Sequence, residues 1–162
     1  MSSFDIVSES DQHELQNAFN QTIKELEQRF DFRGTETKIV FLDKKFSITS
    51  TSEDRANAAF DVLLDKFIKR KISLKFLDKQ KIFSTGNSIW KLEIEIKTGI
   101  DKENAKKIIE FIRQEKYNGV TSAIQGEAVR ITSKSKDKLQ TVMTFLKTKD
   151  FPLEISFNNF RN

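Results

Sequence analysis

Hydrophobic residues recur along this chain with two periods, one typical of helices and one typical of strands. The clearest strand is predicted where Trp90, Leu92, Ile94 and Ile96 alternate with charged residues. Spacings of three and four predict four amphipathic helices. Their inward residues are Leu15, Phe19, Ile23, Leu26 and Phe30; Ala56, Ala59 or Phe60, Leu63, Leu64, Phe67 and Ile68; Ala105, Ile108, Ile109 and Ile112; and Leu139, Val142, Met143 and Leu146.

Shorter alternating runs predict the remaining strands, which fall at residues 3–8, 38–42, 46–50, 73–77, 120–125, 128–132 and 153–157, with residues 78–88 as a polar connection. In chain order the elements read strand–helix–strand–strand–helix–strand, twice. This order predicts an α+β fold of two tandem ferredoxin-like (βαββαβ) units, each with helices on one face of an antiparallel sheet. Because units of this size have little core, we expect the two to be tied together.

A repeated phrase marks the same junction in each half. The sequence ITSTSED, which begins at Ile48, returns as ITSKSKD 83 residues later. In each copy a serine, Ser52 or Ser135, stands where it can cap the following helix. Helix N-termini favour anions, and Lys134 and Lys136 add positive charge in the second copy. We interpret the repeat mainly as a strand-to-helix corner, and expect any phosphate contact in the second copy.

Composition narrows the classes of function. The 162 residues are 37% hydrophobic and 32% charged, which indicates a folded protein, and the net charge of +4 permits an anionic partner without requiring one. The chain has no cysteine, which excludes disulfides and thiolate sites and fits a reducing compartment. We expect a cytoplasmic protein without a signal peptide or a membrane span. The fifteen phenylalanines are expected to fill small cores, and a base-stacking platform is the alternative.

Groups suited to catalysis are scarce. His13 is the one histidine, and Asn17 stands where a zinc-binding HExxH motif needs its second histidine. The five glycines form neither a dinucleotide-binding nor a P-loop signature. Glu93 and Glu95 lie on the polar side of a predicted strand beside lysines, which is typical of a solvated surface. We therefore expect no enzymatic activity and no cofactor.

Three basic clusters are candidate binding sites. One brackets the segment Phe-Asp-Phe at residues 30–32, one surrounds the second repeat, and one lies at the C-terminus. Arginine binds phosphate through paired hydrogen bonds, and aromatic neighbours can stack on a base. The alternative for each cluster is a solvated or ion-paired surface. The residues predicted to bind nucleotide are Arg29, Arg33, Arg130, Lys134, Lys136, Phe160 and Arg161.

Small basic βαββαβ units also suggest RNA recognition modules, which stack bases on aromatic residues of the open sheet face. The residues predicted on that face are Lys91, Glu93, Glu95 and Lys97, with Arg130, Thr132 and Gln125 added by the second hairpin. No aromatic pair is among them. The face can pair with phosphates, but its composition argues against sequence-specific RNA binding.

Several segments closely resemble the bacterial YajQ family in order and spacing. They are SFDIVSE from Ser3, RFDFR from Arg29, IQGEAVRIT from Ile124, LQTVM from Leu139 and FNNFR from Phe157. The resemblance implies two ferredoxin-like domains that exchange N-terminal strands. One unit would comprise residues 9–87 with the exchanged strand 88–97, and the other residues 98–162 with the exchanged strand 1–8.

The implied exchange supplies the tie that small cores require. It also predicts a cluster of Ser3, Asp5, Arg130, Phe160 and Arg161. The chain departs from the family's pattern at two positions, since Ser133 stands where glycine is frequent and Glu127 where aspartate is frequent. Glycine lets a phosphate approach the backbone closely, so Ser133 argues against a close phosphate cradle there.

The resemblance implies a non-enzymatic nucleotide-binding protein with cyclic di-GMP, GTP or ATP as its ligand. The resemblance implies that a cyclic di-GMP effector of this family acts through a protein or nucleic-acid partner, namely a transcription regulator and DNA. For other family members the implied partner is tRNA. We expect a monomer. Two alternatives stay open: an RNA- or DNA-binding protein that contacts the phosphate backbone, and a protein-interaction adaptor without a small ligand.

Overall fold

Four α-helices and nine strands account for most of the chain, and the computed structural model describes residues 1–162. The helices are α1 (Gln12–Gln28), α2 (Glu53–Lys69), α3 (Lys102–Gln114) and α4 (Lys136–Lys147). The strands are β1 (Ser2–Val7), β2 (Lys38–Leu42), β3 (Lys45–Ser50), β4 (Leu77–Lys79), β5 (Phe83–Gly86), β6 (Ile89–Ile96), β7 (Val120–Gln125), β8 (Ala128–Ser133) and β9 (Ser156–Arg161). None of the helices is long and apolar enough to cross a membrane.

The chain divides into two compact units. The first unit is Ser10–Lys97, and the second unit combines Met1–Glu9 with Thr98–Asn162. The first sheet has the order β2–β3–β6–β4, with β5 also paired to β6, and the second has the order β7–β8–β1–β9. All of these strand pairs are antiparallel. The predicted α+β fold of two ferredoxin-like units with exchanged strands is therefore confirmed.

Each unit has its own hydrophobic core between its sheet and its two helices. In the first unit Phe46 and Phe67 are fully buried, with their ring centroids 6.0 Å apart. In the second unit β1 contributes Phe4 and Ile6, both fully buried, to a core shared with Ile131 of β8. Phenylalanine thus supplies much of the bulk of both cores, as its abundance predicts.

The duplicated corner has the same capping chemistry in both units. The hydroxyl Oγ of Ser52 accepts the Arg55 N–H at 3.1 Å at the start of α2, and Ser135 Oγ accepts the Lys138 N–H at 3.3 Å at the start of α4. Helix α1 is capped in the same way by the Asp11 side chain. These bonds satisfy N–H groups that have no partner within the helix. The repeated phrase is therefore a structural joint, as predicted.

The segment between α2 and β6 differs from the prediction. Leu74–Phe76 forms a 3-10 turn rather than part of a strand, and the supposed connection 78–88 contributes β5 and most of β4. Both strands pair with β6, for example through Leu77 and Ile96. These two strands show no hydrophobic alternation. Backbone pairing with β6 determines where they form, and a buried face of side chains does not.

The last strand also lies later than predicted, at Ser156–Arg161 instead of residues 153–157. Its position follows from its ladder with β1, in which Asp5 pairs with Asn158 and Ser3 pairs with Arg161. Because β1 is an exchanged strand, the local sequence around residue 157 contains no information about this partner.

Gly99 lies where the chain passes from β6 to α3. Its φ is +81°, its N–H donates to the Ser8 carbonyl at 2.7 Å, and an added Cβ would lie 2.8 Å from the Glu127 carboxylate. We expect Gly99→Ala to lower the free energy of unfolding by about 1–2 kcal/mol, measured by urea denaturation, because alanine disfavours positive φ.

Gly34→Ala is the matched control for this substitution. Gly34 has a similar φ of +73°, but no atom lies within 4 Å of its added Cβ. Because the Glu127 carboxylate is the end of an exposed side chain and can move aside, the two substitutions should lower the free energy of unfolding by similar amounts. A much larger loss for Gly99→Ala would show that Glu127 is held in place.

Candidate functional site

One face of the second sheet points away from its helices and carries mostly polar side chains. Phe4 and Ile6 are buried on the helix side, so the intervening residues of β1 lie on the opposite face. Cross-strand register arranges this outer face in two rows, which are Thr121, Thr132, Ser3 and Arg161, and Ala123, Arg130, Asp5 and Asn158. We call these eight residues the outer face.

An arginine–aspartate pair stands at the centre of the outer face. Arg130 Nε and Nη2 donate to Asp5 Oδ1 and Oδ2 at 2.9 and 3.3 Å. The amide Nδ2 of Asn159 also donates to Asp5 Oδ2, at 2.8 Å, and Arg161 Nε donates to Asn159 Oδ1 at 3.4 Å. Two guanidinium groups are therefore linked to one carboxylate, Arg130 directly and Arg161 through the Asn159 amide.

Asp5 orients the Arg130 guanidinium. The hydrogen bond from Arg130 is the main cause that lowers the pKa of Asp5 below its ordinary value of 3.8; burial opposes this effect, and Asn159 and the charge of Arg161 reinforce it. Asp5 is therefore ionised at neutral pH and holds one edge of the guanidinium. The N–H groups on Nη1 of Arg130 remain available to a second anion.

A β-bulge in β9 builds this network. Between the pairs Asp5–Asn158 and Ser3–Arg161, β9 contains one residue more than β1 does. Asn159 adopts a φ of +53°, which asparagine tolerates better than most residues, and its amide turns towards Asp5. Asn159 is absent from the predicted site, and it lies beyond the strand predicted at residues 153–157.

The bulge also separates Phe160 from the arginines. Its side chain is 62% exposed, but its ring centroid lies 6.2 Å from that of the buried Phe4, on the helix side of the sheet. Of the five residues expected to cluster, the structure brings together Ser3, Asp5, Arg130 and Arg161. It does not bring Phe160 to the outer face, so the predicted aromatic partner for a base is missing there.

Lys134 and Lys136 flank the N-terminus of α4, and both are exposed. The N–H of Ser135 donates to Ser133 Oγ at 3.1 Å, and Ser135 Oγ accepts a further N–H of the first turn. Asp137 adds a negative charge to the same turn. The start of α4 is therefore less open to phosphate than the sequence pattern suggests, whereas the two ammonium groups remain accessible.

Arg29 and Arg33 belong to the first unit and have different surroundings. Arg29 Nε and Nη2 donate to Asp31 at 3.0 and 2.6 Å, and Nη1 donates to Glu25 at 3.2 Å. The Arg33 guanidinium instead lies 5.4 Å from the ring centroid of Phe30, whose side chain is 79% exposed. Arg29 is thus largely satisfied within the protein, and Arg33 with Phe30 is the accessible part of this cluster.

The charged residues of β6 do not share a face with Arg130, contrary to the prediction. Strand exchange places β6 in the first sheet, and β1 occupies the equivalent position beside the hairpin of the second. Glu93 lies 3.4 Å from Lys45 Nζ and 3.5 Å from Lys91 Nζ. Gln125, in contrast, does lie on the same side of its sheet as Arg130.

Groups suited to metal or acid–base chemistry are dispersed. His13 is exposed near the start of α1. No group of three or more His, Cys, Asp or Glu side chains is arranged to hold a metal ion. The outer face is therefore the densest arrangement of interacting polar side chains that the second sheet offers.

Acid should weaken the second unit through Asp5. Because its pKa is lower in the folded than in the unfolded chain, the ionised carboxylate stabilises the fold above the unfolded pKa, and this contribution disappears as pH falls below 3.8 towards the folded pKa. Asp5→Asn should cost about 1–3 kcal/mol at pH 6 and much less near pH 2, measured by urea denaturation.

The control for this experiment is Glu103→Gln in the same unit, since the Glu103 side chain is 80% exposed. This substitution should change the free energy of unfolding at pH 6 much less than Asp5→Asn does. A pH profile of Asp5→Asn that parallels the wild-type profile down to pH 2 would contradict the assignment.

Known proteins resemble this chain along nearly its whole length. A family model described as nucleotide-binding protein YajQ-like matches residues 2–161. A nucleotide-binding protein of Mycobacterium ulcerans (strain Agy99) and one of Thermobifida fusca (strain YX) are each 47% identical over 161 residues, which cover 99% of this chain and 98% of theirs. A nucleotide-binding protein of Streptomyces coelicolor is 45% identical over 160 residues, with the same coverage. The similarity includes every strand of the outer face.

Proposed function

This chain belongs to the YajQ-like family of nucleotide-binding proteins, and from that premise we propose that it binds a phosphate-bearing nucleotide on the outer face without catalysing a reaction. The observation that carries the proposal is the network in which Asp5 orients Arg130 and Asn159 connects it to Arg161. Oriented guanidinium groups with free N–H donors suit phosphate oxygens.

The residues around the network support the same ligand chemistry. Ser3 lies between Thr132 and Arg161 in the cross-strand register, so two hydroxyl groups adjoin a guanidinium on one face. Neighbouring strands are about 4.8 Å apart, and the row therefore presents donors across about 10 Å. A ligand with more than one phosphate can contact several of them together. Lys134 supplies further positive charge beyond the end of β8.

The outer face is better suited to binding phosphate groups than to recognising a base. Its two rows contain no aromatic residue, and Phe160 lies on the other side of the sheet. Base stacking on an aromatic side chain contributes about 1–3 kcal/mol, and that contribution is missing here. We propose cyclic di-GMP, GTP or ATP as the ligand class, with the phosphate groups dominating affinity.

Isothermal titration calorimetry at physiological salt tests this proposal. Cyclic di-GMP, GTP and ATP are titrated separately, with inorganic triphosphate as a control for recognition through phosphate alone. We expect at least one nucleotide to bind, and triphosphate to compete with it. Absence of heat with all three nucleotides at high micromolar concentration would reject nucleotide binding.

A second candidate is binding of RNA or DNA through the phosphate backbone. The observation that favours it is the flat array of hydroxyl and guanidinium groups on the outer face. Such binding should weaken steeply as salt is raised, and also with Arg130→Ala or Lys134→Ala. Affinity that does not respond to salt would reject this candidate.

The biological setting is part of the proposal. The lack of cysteine supports a reducing compartment, and we propose a monomeric cytoplasmic protein. We further propose that the nucleotide controls a protein or nucleic-acid partner, such as a transcription regulator, tRNA or DNA. A protein-interaction adaptor would instead form a stable complex in a pull-down and show no nucleotide binding.

A further inference from the structure

A cleft of about 430 Å³ lies beside the edge strand β7, between that strand and the C-terminal half of α3. Ile109, Ile112 and Val120 provide its apolar lining. Arg113 and Lys116, both exposed, provide positive charge at the same cleft. The cleft can therefore accept an apolar group that lies next to an anionic group.

The backbone of β7 is open along this cleft. β7 pairs with β8 alone, so its other edge has no strand partner. A two-residue turn joins the strands, and Gln125 is paired with Ala128 across it. In such a hairpin the closing pair is hydrogen-bonded and the pattern alternates, so Ser122 and Ile124 direct their N–H and C=O groups away from β8.

The sequence of β7 lacks the charged residues and prolines that usually prevent an edge strand from pairing with another chain. Its six residues, VTSAIQ, include no charge and no proline. The edge strand β2 carries Lys38, and β9 carries Arg161 and a bulge. Because charges and bulges discourage pairing with another chain, β7 is the more receptive of these edges.

The first unit has the equivalent cleft with different charge. It measures about 310 Å³, lies between α1 and β2, and is lined by Ile23, Leu26, Glu27 and Lys38. The first three have the same spacing as Ile109, Ile112 and Arg113 in the second unit. The duplicated fold therefore provides the apolar cleft. Glu27 and Lys38 balance each other in the first unit, whereas Arg113 and Lys116 give the cleft at β7 a net positive charge.

We propose that an extended acidic segment of a partner protein adds to the second sheet along β7. Its backbone pairs with Ser122 and Ile124, an apolar side chain enters the cleft, and its carboxylates meet Arg113 and Lys116. The Arg113 side chain is 73% exposed, and its ion pair with Glu110 at 3.3 Å is readily exchanged.

The same charges disfavour a second copy of this chain as the occupant. Strand β7 contains no acidic residue that could meet Arg113 and Lys116 of another copy. The proposal does not rest on nucleotide binding, because its contacts involve the edge of the sheet and α3 rather than the guanidinium groups of the outer face.

The probe is an acetylated and amidated nine-residue peptide of alternating glutamate and valine, titrated into the full-length ¹⁵N-labelled protein and followed by NMR. We expect the amides of residues 120–124 and of Arg113 to shift, and hydrogen exchange at Ser122 and Ile124 to slow. A lysine–valine peptide of the same length should not bind, because its charges oppose Arg113 and Lys116.

Two variants test whether the peptide pairs with the edge of β7 and whether it contacts the positive charge at the cleft. Ser122→Pro removes an outward N–H without breaking a bond to β8, and should weaken binding by about tenfold or more. Arg113→Glu should weaken it to a similar degree, whereas Glu27→Arg in the equivalent cleft should leave it unchanged. Should Ser122→Pro fail to fold, Lys116→Glu replaces it.

Four results would overturn the proposal. The first is absence of peptide binding up to about 1 mM, and the second is binding that both Ser122→Pro and Arg113→Glu leave unchanged. The third is a change in the amide signals of residues 120–124 with protein concentration in the absence of peptide, which would assign the edge to a second copy. The fourth is displacement of the peptide from these residues by ATP. Failure of the nucleotide calorimetry would leave this proposal standing.

Discussion

Deletion of residues 1–9 should unfold the second unit while the first unit stays folded. Strand β1 lies between β8 and β9, and its Phe4 and Ile6 are fully buried. Losing a single buried phenylalanine side chain costs about 3–5 kcal/mol, and a whole domain is typically stable by only about 5–15 kcal/mol. The segment Ser10–Lys97, in contrast, contains every strand of the first sheet. In an NMR spectrum, dispersed signals should persist for this segment alone.

A pair of point substitutions tests the same dependence without truncation. Phe4→Ala should destabilise the second unit by about 3–5 kcal/mol, because its side chain is fully buried. Phe160→Ala removes a side chain that is 62% exposed and should cost much less.

Dispersed signals from residues 98–162 in the deletion variant would contradict the role assigned to β1.

Replacing Arg130 should weaken nucleotide binding more than any other single substitution on the outer face. Asp5 and Asn159 orient this network, so alanine removes a pre-positioned cation and its free N–H donors. We expect about 10- to 100-fold weaker binding, measured by calorimetry with the best nucleotide ligand. Arg130→Lys keeps the charge but cannot form the paired bond with Asp5, so its affinity should be intermediate.

Arg33→Ala is the matched control, since it removes the same charge from the first unit. Arg33 lies against the exposed Phe30 and is the accessible arginine of the basic cluster in the first unit. Its substitution should leave nucleotide affinity nearly unchanged. The reverse pattern, with Arg33→Ala harmful and Arg130→Ala harmless, would move the site to the first unit.

Sequence periodicity predicts the elements of this fold better than their partners. The alternation around Trp90 and the duplicated corner at Ser52 and Ser135 are local signals, and the structure contains both features. The alternation in β1 and β6 does not specify which sheet each strand joins. The family resemblance, rather than local pattern, implied their exchange. Strand β5 is polar and is not predicted from the sequence, because its position is determined by its pairing with β6.

In the candidate site too, contacts between residues that are close in the sequence can be predicted, whereas contacts between distant residues cannot. Glu25 lies in the last turn of α1 and Arg29 follows its last residue, so their ion pair can be predicted from the spacing of four residues. Asp5 and Arg130 are separated by 125 positions, and only strand exchange brings them together. The placement of Phe160 depends on the positive φ of Asn159, a backbone detail that residue types alone do not determine.

The central claim is that the outer face of the second sheet receives the phosphate groups of a nucleotide. Its most direct test is a titration of ¹⁵N-labelled protein at physiological salt with whichever of cyclic di-GMP, GTP and ATP binds most tightly in calorimetry. Arginine Nε–H and backbone amide signals are both followed. We predict saturable shifts of the Arg130 and Arg161 side chains and of the Ser3 and Thr132 amides. Shifts confined to Arg33 and its neighbours in the first unit, or no shifts on the outer face at a saturating concentration of that nucleotide, would contradict the claim.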